Sequence, residues 1–372
     1  MQAIFGNLLL LEPKMVIMWA IGGLLIYLAI KKDMEPSLLL PMGFGAILVN
    51  LPSSGAITQG NEPGVLDILY NAGIANELFP LLLFIGIGAM IDFGPLLQNP
   101  KLLIFGAAAQ FGVFAVVVLA TLLGFDLHDA ASIGVIGAAD GPTAIFVSQW
   151  YNSQYTGAIM VAAYSYMALV PIIQPPVIRA LTSKHERCIR MKYQAANVSR
   201  MTRILFPIVV TVVAGLIVPR SVALVGFLMF GNLLRECGVL DSLSNVAQNV
   251  LANLITIFLG ITIASQMQAE KFLNPQTLMI MGLGLLAFVF DTAGGVLCAK
   301  VVNLFMPEGR KLNPMIGACG ISAFPMSSRV ISKMALAEDK QNFLLMQAAG
   351  VNVGGQVASV IAGGMLLNLI AR

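Results

Sequence analysis

The sequence predicts an all-α polytopic membrane protein built from two inverted repeats of about five spans each, with broken or re-entrant segments meeting near mid-membrane. Three observations predict this fold class. Of the 372 residues, 58% are hydrophobic and only 10% are charged, which is too little polar surface to cover a water-soluble globule. Several apolar runs approach or exceed the roughly 20 residues that a spanning helix needs. The chain also contains an internal repeat.

The repeat is visible in short motifs that recur late in the chain. Gly64-Val-Leu-Asp67 returns as Gly238-Val-Leu-Asp241, and Phe84-Ile-Gly86 returns as Phe258-Leu-Gly260, each 174 positions later (238 − 64). This period is far longer than that of a solenoid repeat. The duplication therefore resembles that of transporters whose two halves enclose a central site.

Each half is predicted to contain five spans. They cover 15–30, 37–51, 77–92, 102–123 and 157–178 in the first half, and 204–219, 221–235, 251–267, 277–303 and 343–368 in the second. An odd number of spans inverts the second half relative to the first. The chain does not start with a signal peptide pattern, in which a basic stretch is followed by a short apolar run and a cleavage site. We therefore expect the first span to be retained. The expected division is a first repeat at 1–180, a basic linker at 181–203 and a second repeat at 204–372.

Positive charge is concentrated in one central segment, although the net charge is only +3. The cluster comprises Arg179, Lys184, Arg187, Arg190, Lys192, Arg200 and Arg203. The positive-inside rule assigns this segment to the cytoplasm, which leaves only Lys14, Arg220, Lys271 and Arg372 outside. Without an aromatic platform or motif these charges do not indicate nucleic-acid binding. Four cysteines without CxxC spacing predict neither a disulfide framework nor a metal cluster.

A first broken segment surrounds Asp140. Gly141 and Pro142 follow this residue in an apolar stretch, and they predict that the helix opens there. An aspartate in the centre of a lipid-embedded helix costs about 2.5 to 3.5 kcal/mol, so a bystander role is unfavourable. Freed carbonyls beside a carboxylate would form a cation site with hard oxygen ligands. The alternative is an N-cap aspartate in an interfacial loop.

The second broken segment runs from Asn313 to Pro325 and carries no acid at the position corresponding to Asp140. Asn313 and Ser322 offer neutral oxygen ligands that would complement one carboxylate. In inverted repeats the two segments enter from opposite faces, so their tips can meet near the midplane. Arg329 follows closely, either as a snorkelling arginine or as a fixed positive charge for a carboxylate substrate.

The last spans of the two halves place Tyr166 and Asn352 at corresponding positions. Both polar groups can therefore face one axis, although Tyr166 is equally compatible with an interfacial anchor or a packed core tyrosine. Glycines around Asn352 are typical of close helix packing. Asp291, inside a long apolar span, is the second acidic candidate.

Three motifs together resemble a known family. They are Gly137-Ala-Ala-Asp-Gly-Pro-Thr143, Phe290-Asp-Thr-Ala-Gly-Gly295, and the stretch from Asn313-Pro through Gly320-Ile-Ser322 to Arg329. They resemble the membrane-embedded beta subunit of the sodium-translocating biotin-dependent decarboxylases, which act on oxaloacetate, methylmalonyl-CoA or glutaconyl-CoA. The resemblance covers nearly the whole chain. It implies a multi-pass inner (plasma) membrane subunit of a bacterium or archaeon, which decarboxylates carboxybiotin, drives sodium outward and consumes a proton.

The resemblance also implies residue roles. The catalytic residues would be Asp140, Tyr166 and Arg329, and the sodium ligands would be Asp140, Tyr166, Asn313, Gly317, Ser322 and Asn352. Sodium and carboxybiotin presented by a partner would be needed, with no cofactor covalently bound to this chain. The implied partners are a biotin-carrier protein or domain, a carboxyltransferase alpha subunit, a small membrane gamma or delta subunit, and further copies of the chain.

Composition and topology alone fit a rival function equally well. A sodium-coupled secondary transporter of an organic anion, without enzymatic activity, would show the same spans and the same repeat. The motif resemblance is what favours the decarboxylase.

Overall fold

The computed structural model describes residues 6–191 and 198–370, and the secondary-structure elements of these residues are helices joined by turns and loops. No β-sheet forms among these residues, where the only bridge joins Gln59 and Glu62. Of the predicted basic cluster and outer charges, Lys192 and Arg372 lie outside the described residues.

The first half and the start of the linker contain eleven α-helices among the described residues. They are α1 (Pro13–Lys32), α2 (Pro36–Val49), α3 (Val65–Leu69), α4 (Leu78–Met90), α5 (Gly94–Gln98), α6 (Leu103–Ala109), α7 (Phe111–Leu122), α8 (Leu127–Gly134), α9 (Gly141–Trp150), α10 (Thr156–Leu181) and α11 (Lys184–Arg187). Turns of 3-10 helix cover Gly6–Leu10, Pro100–Leu102 and Val135–Ala138, and a π-helical turn, Tyr70–Ile74, follows α3.

The second half repeats much of this order. Its α-helices are α12 (Arg200–Ile217), α13 (Val222–Glu236), α14 (Asp241–Asn245), α15 (Ala252–Ile263), α16 (Ala269–Phe272), α17 (Pro275–Leu304), α18 (Met326–Glu338) and α19 (Leu345–Leu369). Turns of 3-10 helix cover Pro219–Ser221, Ala264–Gln266 and Pro314–Gly320. Here too a π-helical turn, Val246–Leu251, follows the short third helix.

Seven helical stretches of the described chain are long and apolar enough to cross a membrane. They are Pro13–Lys32, Pro100–Leu122, Thr156–Leu181, Arg200–Ile217, Asp241–Gln266, Pro275–Leu304 and Leu345–Leu369. This confirms the prediction of a polytopic all-α membrane protein. The other three predicted spans are helical but short: α2 has 14 residues, α13 has 15 and α4 has 13. A 14-residue helix is only about 21 Å long, less than a hydrocarbon core of roughly 30 Å.

The two halves pack reciprocally. In the first half α2 packs against α1 and against α15, whereas in the second α13 packs against α12 and against α4. Likewise α10 packs against α17, and α19 packs against α6. The short helices α2, α4 and α13 are therefore supported by helices of the opposite half.

Glycine allows the closest of these contacts. A methyl group at Gly88 in α4 would lie 1.8 Å from the Leu228 carbonyl oxygen of α13, and one at Gly231 would lie 2.0 Å from the Ile85 carbonyl oxygen. Small residues let helix backbones approach in this way inside a membrane, where packing replaces the hydrophobic effect. The α4–α13 crossing is therefore a close backbone contact between the two halves.

Candidate functional site

The first broken segment opens at Asp140. The chain leaves α8, makes the 3-10 turn Val135–Ala138, reverses at Ala139 with φ 51°, and starts α9 at Gly141. Asp140 is the N-cap of α9, because its Oδ1 accepts a hydrogen bond from the Thr143 backbone N–H at 3.3 Å. Only 3% of Asp140 is exposed. It is thus an N-cap, as one reading of the sequence held, but it lies inside the protein rather than in a surface loop.

Three hydroxyl groups converge on one oxygen of Asp140. Its Oδ2 accepts hydrogen bonds from Thr143 Oγ1 at 2.8 Å, Ser322 Oγ at 3.2 Å and Ser359 Oγ at 2.8 Å. These donors belong to α9, to the second broken segment and to α19. No cationic side chain of the described residues acts on Asp140. A buried carboxylate among neutral oxygens, without a countercharge, suits a small hard cation or a proton.

The two broken segments meet at Ser322. After the 3-10 helix Pro314–Gly320, the Ser322 backbone N–H donates to the Ala138 carbonyl at 2.9 Å, while its hydroxyl reaches Asp140. Segments from opposite halves of the sequence are therefore joined by hydrogen bonds at this point.

A cavity of about 590 Å³ connects Asp140 with Arg329. The polar residues along its wall are Glu35, Ser37, Asp140, Tyr164, Gln248, Asn249, Asn253, Thr256, Ser322, Arg329 and Gln356. They come from both halves. Arg329 is exposed and forms no ion pair with the described part of the chain. The cavity therefore offers a buried carboxylate at one position and an available guanidinium at another.

Glu35 contributes an acid to the same cavity. It lies in the turn between α1 and α2 and is half-buried. Burial raises the pKa of Glu35, and the positive charge of Arg329 partly opposes this rise. Glu35 therefore binds a proton at a higher pH than an ordinary glutamate and modulates the charge around Arg329.

Four other predicted ligands are not brought to the cavity wall. The Tyr166 hydroxyl donates to the Met281 carbonyl at 2.5 Å. Asn352 donates from Nδ2 to the carbonyls of Cys319 and Ile321, at 3.2 and 2.8 Å, and thereby supports the second broken segment just before Ser322.

The remaining two predicted ligands, Asn313 and Gly317, also make contacts that support the backbone of the second broken segment. Asn313 caps the 3-10 helix through Met315, and its Nδ2 donates to the carbonyls of Arg187 and Ile189 in the basic linker. A methyl group at Gly317 would lie 2.0 Å from the Gly295 carbonyl oxygen of α17. Asn313 therefore ties the second broken segment to the linker, and Gly317 lets it pack closely against α17.

Asp291, the second acidic candidate, does not line the cavity. Its Oδ1 accepts the Val113 backbone N–H at 3.0 Å, whereas its Oδ2 has no hydrogen-bond partner among the described residues. Val113 lies in the first turn of α7, just after the helix is interrupted at Gln110. Asp291 therefore satisfies a free N–H group at a buried helix end.

Ser359 and Gln356 join the site although no sequence argument selected them. Asn352, Gln356 and Ser359 are spaced by four and three residues along α19 and so share one helix face. This spacing could have identified both residues from the sequence, because a polar stripe in an apolar span must face a polar interior. Tyr164 also lines the cavity and was passed over in favour of Tyr166.

Comparison with known proteins shows the family to which this chain is similar. The family model described as "Na+-transporting oxaloacetate decarboxylase beta subunit" matches residues 14–370. The chain is 45% identical to oxaloacetate decarboxylase beta chain 2 of Salmonella typhimurium, over 95% of this chain and 94% of that protein.

Relatives named for other substrates are equally similar. Identity is 48% to methylmalonyl-CoA decarboxylase subunit beta of Propionigenium modestum, over 95% of this chain and 94% of that protein. It is also 48% to glutaconyl-CoA decarboxylase subunit beta of Acidaminococcus fermentans, over 95% of this chain and 92% of that protein. Together with the seven spans, these matches identify a multi-pass inner-membrane protein. The chain belongs to the family of beta subunits of the Na+-transporting decarboxylases, multisubunit enzymes that couple decarboxylation to sodium transport.

Proposed function

We propose that the cavity between Asp140 and Arg329 is where this subunit couples the loss of carbon dioxide from carboxybiotin to outward sodium movement. One observation carries the proposal. Asp140 is a buried carboxylate that accepts hydrogen bonds from three hydroxyls and has no cationic partner among the described residues. A charge buried in this way needs a compensating cation or a proton.

The oxygen atoms around Asp140 are suitable ligands for sodium. Each hydroxyl of Thr143, Ser322 and Ser359 keeps oxygen lone pairs that can turn towards a cation. Together with the carboxylate they form a set of hard oxygen ligands. Asn313, Gly317, Asn352 and Tyr166, which the resemblance also implies, are proposed to act on this site by holding its backbone in place.

Carboxybiotin, carried by a partner, is proposed to bind in the cavity with its carboxylate near Arg329. A guanidinium can bind a carboxylate through two parallel hydrogen bonds. Decarboxylation breaks the bond between the ureido nitrogen and the carboxylate carbon, releases carbon dioxide and leaves an electron pair on nitrogen, which takes up one proton. Asp140 is proposed to supply that proton, since it can hold a proton or a sodium ion but not both.

Coupling follows from this competition. Sodium occupies ionised Asp140 from the cytoplasm, and a proton arriving from outside neutralises the carboxylate and displaces the sodium outward. The two halves, 1–180 and 204–372 joined by the linker 181–203, are proposed to be inverted repeats. Their reciprocal packing supports this relation. Movement of one group of packed helices against another would alternate access to the site.

The partners are proposed from the family. They are a biotin-carrier protein or domain, a carboxyltransferase alpha subunit, a small membrane gamma or delta subunit, and further copies of this chain. The basic linker is assigned to the cytoplasmic side by its charge, which is the side from which carboxybiotin would arrive.

The test is to measure decarboxylation and radioactive sodium uptake together in proteoliposomes that contain the assembled complex. Asp140→Asn should abolish both activities, whereas Asp241→Asn, at an exposed residue outside the cavity wall, should leave both near wild type. Full sodium-stimulated turnover in Asp140→Asn would disprove the site. Sodium uptake driven by an organic anion without decarboxylation would instead support the secondary transporter.

A further inference from the structure

The hydroxyl of Tyr164 is a buried polar group beside the proposed sodium site. Tyr164 is fully buried, and its Oη finds no hydrogen-bond partner in residues 6–191 and 198–370. A buried tyrosine hydroxyl normally has a partner, because leaving it without one costs desolvation free energy. Tyr164 nevertheless lines the same cavity as Asp140. This combination indicates that the oxygen serves a ligand.

The position of the ring brings this hydroxyl close to Asp140. A methyl group at Gly141 would lie 2.3 Å from Tyr164 Cζ, the ring carbon that bears the hydroxyl. Gly141 directly follows Asp140 in the chain, and the charge of Asp140 acts on the Tyr164 hydroxyl. The phenol end of the ring therefore lies over the backbone where α9 begins.

The neighbouring Tyr166 cannot fill the same role in this conformation. Its hydroxyl donates to the Met281 carbonyl of α17. Two residues along a helix correspond to a rotation of about 200°, so the two tyrosines of α10 point in nearly opposite directions.

We propose that Tyr164 Oη is a ligand of the sodium ion held by Asp140, an inference that rests on the proposed function. With the hydroxyls of Thr143, Ser322 and Ser359, it completes four neutral oxygens around one carboxylate. A single negative charge balances one monovalent cation and leaves a divalent cation undercompensated. The ligand set is therefore matched to sodium rather than to calcium or magnesium.

The experiment is calorimetric titration of sodium chloride into the purified, assembled complex. Tyr164→Phe removes only the oxygen and keeps the ring over Gly141, and it should weaken sodium binding about tenfold, as expected for the loss of roughly 1.4 kcal/mol. The sodium concentration for half-maximal turnover should rise by the same factor. Tyr155→Phe, at the start of the same helix and outside the cavity wall, should bind sodium like wild type.

The outcomes separate this inference from the proposed function. Unchanged sodium affinity in Tyr164→Phe, with affinity lost in Asp140→Asn, would overturn the role of Tyr164 alone. Turnover lost at saturating sodium, with affinity unchanged, would also overturn it and make Tyr164 a proton-transfer group instead. If wild type bound no sodium at all, both the inference and the proposed function would fall.

Discussion

Ser322 bonds to both ends of the first broken segment's turn. Its backbone N–H donates to the Ala138 carbonyl at 2.9 Å, and its hydroxyl donates to Asp140 Oδ2 at 3.2 Å. One residue of the second half thus fixes both the backbone and the carboxylate of the first half. Any movement that separates the two segments must break both bonds.

Replacing Ser322 by Ala removes the hydroxyl and keeps the backbone bond. We expect the sodium concentration for half-maximal decarboxylation to rise about tenfold, because one oxygen ligand is lost, while the unfolding free energy falls by only about 1 kcal/mol. Sodium titration of turnover and thermal unfolding in detergent measure the two effects. Ser148→Ala, which removes a buried hydroxyl bonded to the Ile145 carbonyl, is the control. An equal loss of sodium affinity in Ser148→Ala would refute the prediction.

Adding one methyl group at Gly141 should disturb the site through Tyr164. The new carbon would lie 2.3 Å from the ring, so the ring or the start of α9 must shift. We expect a loss of about 1 to 3 kcal/mol in stability, together with weaker sodium binding. Gly282→Ala is the matched control, since a methyl group there would meet no atom of the described residues within 4 Å beyond its own stretch of helix. A Gly141→Ala protein with wild-type stability and affinity would show that the ring does not rest on this backbone.

The charge of Glu35 should set the apparent affinity for carboxybiotin. Glu35→Gln removes a negative charge that opposes Arg329, so we expect a KM for free carboxybiotin about two- to threefold lower at neutral pH. The difference from wild type should vanish as the pH is lowered through the raised pKa of Glu35, because protonated Glu35 is also neutral. Measuring KM against pH for both proteins tests this. A difference that persists at every pH would exclude titration of Glu35 as the cause.

Asn313 should affect stability more than sodium affinity. Its amide bonds to the carbonyls of Arg187 and Ile189 and to the Met315 N–H, so Asn313→Ala should cost about 1 to 3 kcal/mol. We also expect faster proteolysis within the basic linker. The sodium concentration for half-maximal turnover should change less than in Ser322→Ala. A larger change than in Ser322→Ala would instead support Asn313 as a direct ligand.

Much of the architecture could be predicted because it depends on local sequence. The lengths of the apolar runs predicted the spans, and Gly141 with Pro142 predicted the break at Asp140. Both features depend on neighbouring residues alone. The short lengths of α2 and α13 were also predicted, since the spans 37–51 and 221–235 are about as long as the observed helices. The helices of the opposite half that support them could not be predicted, because packing between distant parts of the chain does not depend on local sequence. Tyr164 and Tyr166 show the same limit at the site. Both are tyrosines of one apolar helix, and only its rotation against α17 decides which of them lines the cavity.

The contact between Gly295 and Gly317 leaves no clearance between α17 and the second broken segment. Backbones in direct contact, with no side chain between them to rearrange, are expected to move together. A displacement of α17 would therefore move Ser322 as well, and with it one of the hydroxyls that donate to Asp140. Opening of the proposed cation site would accordingly require packed helices to move together, rather than a single loop.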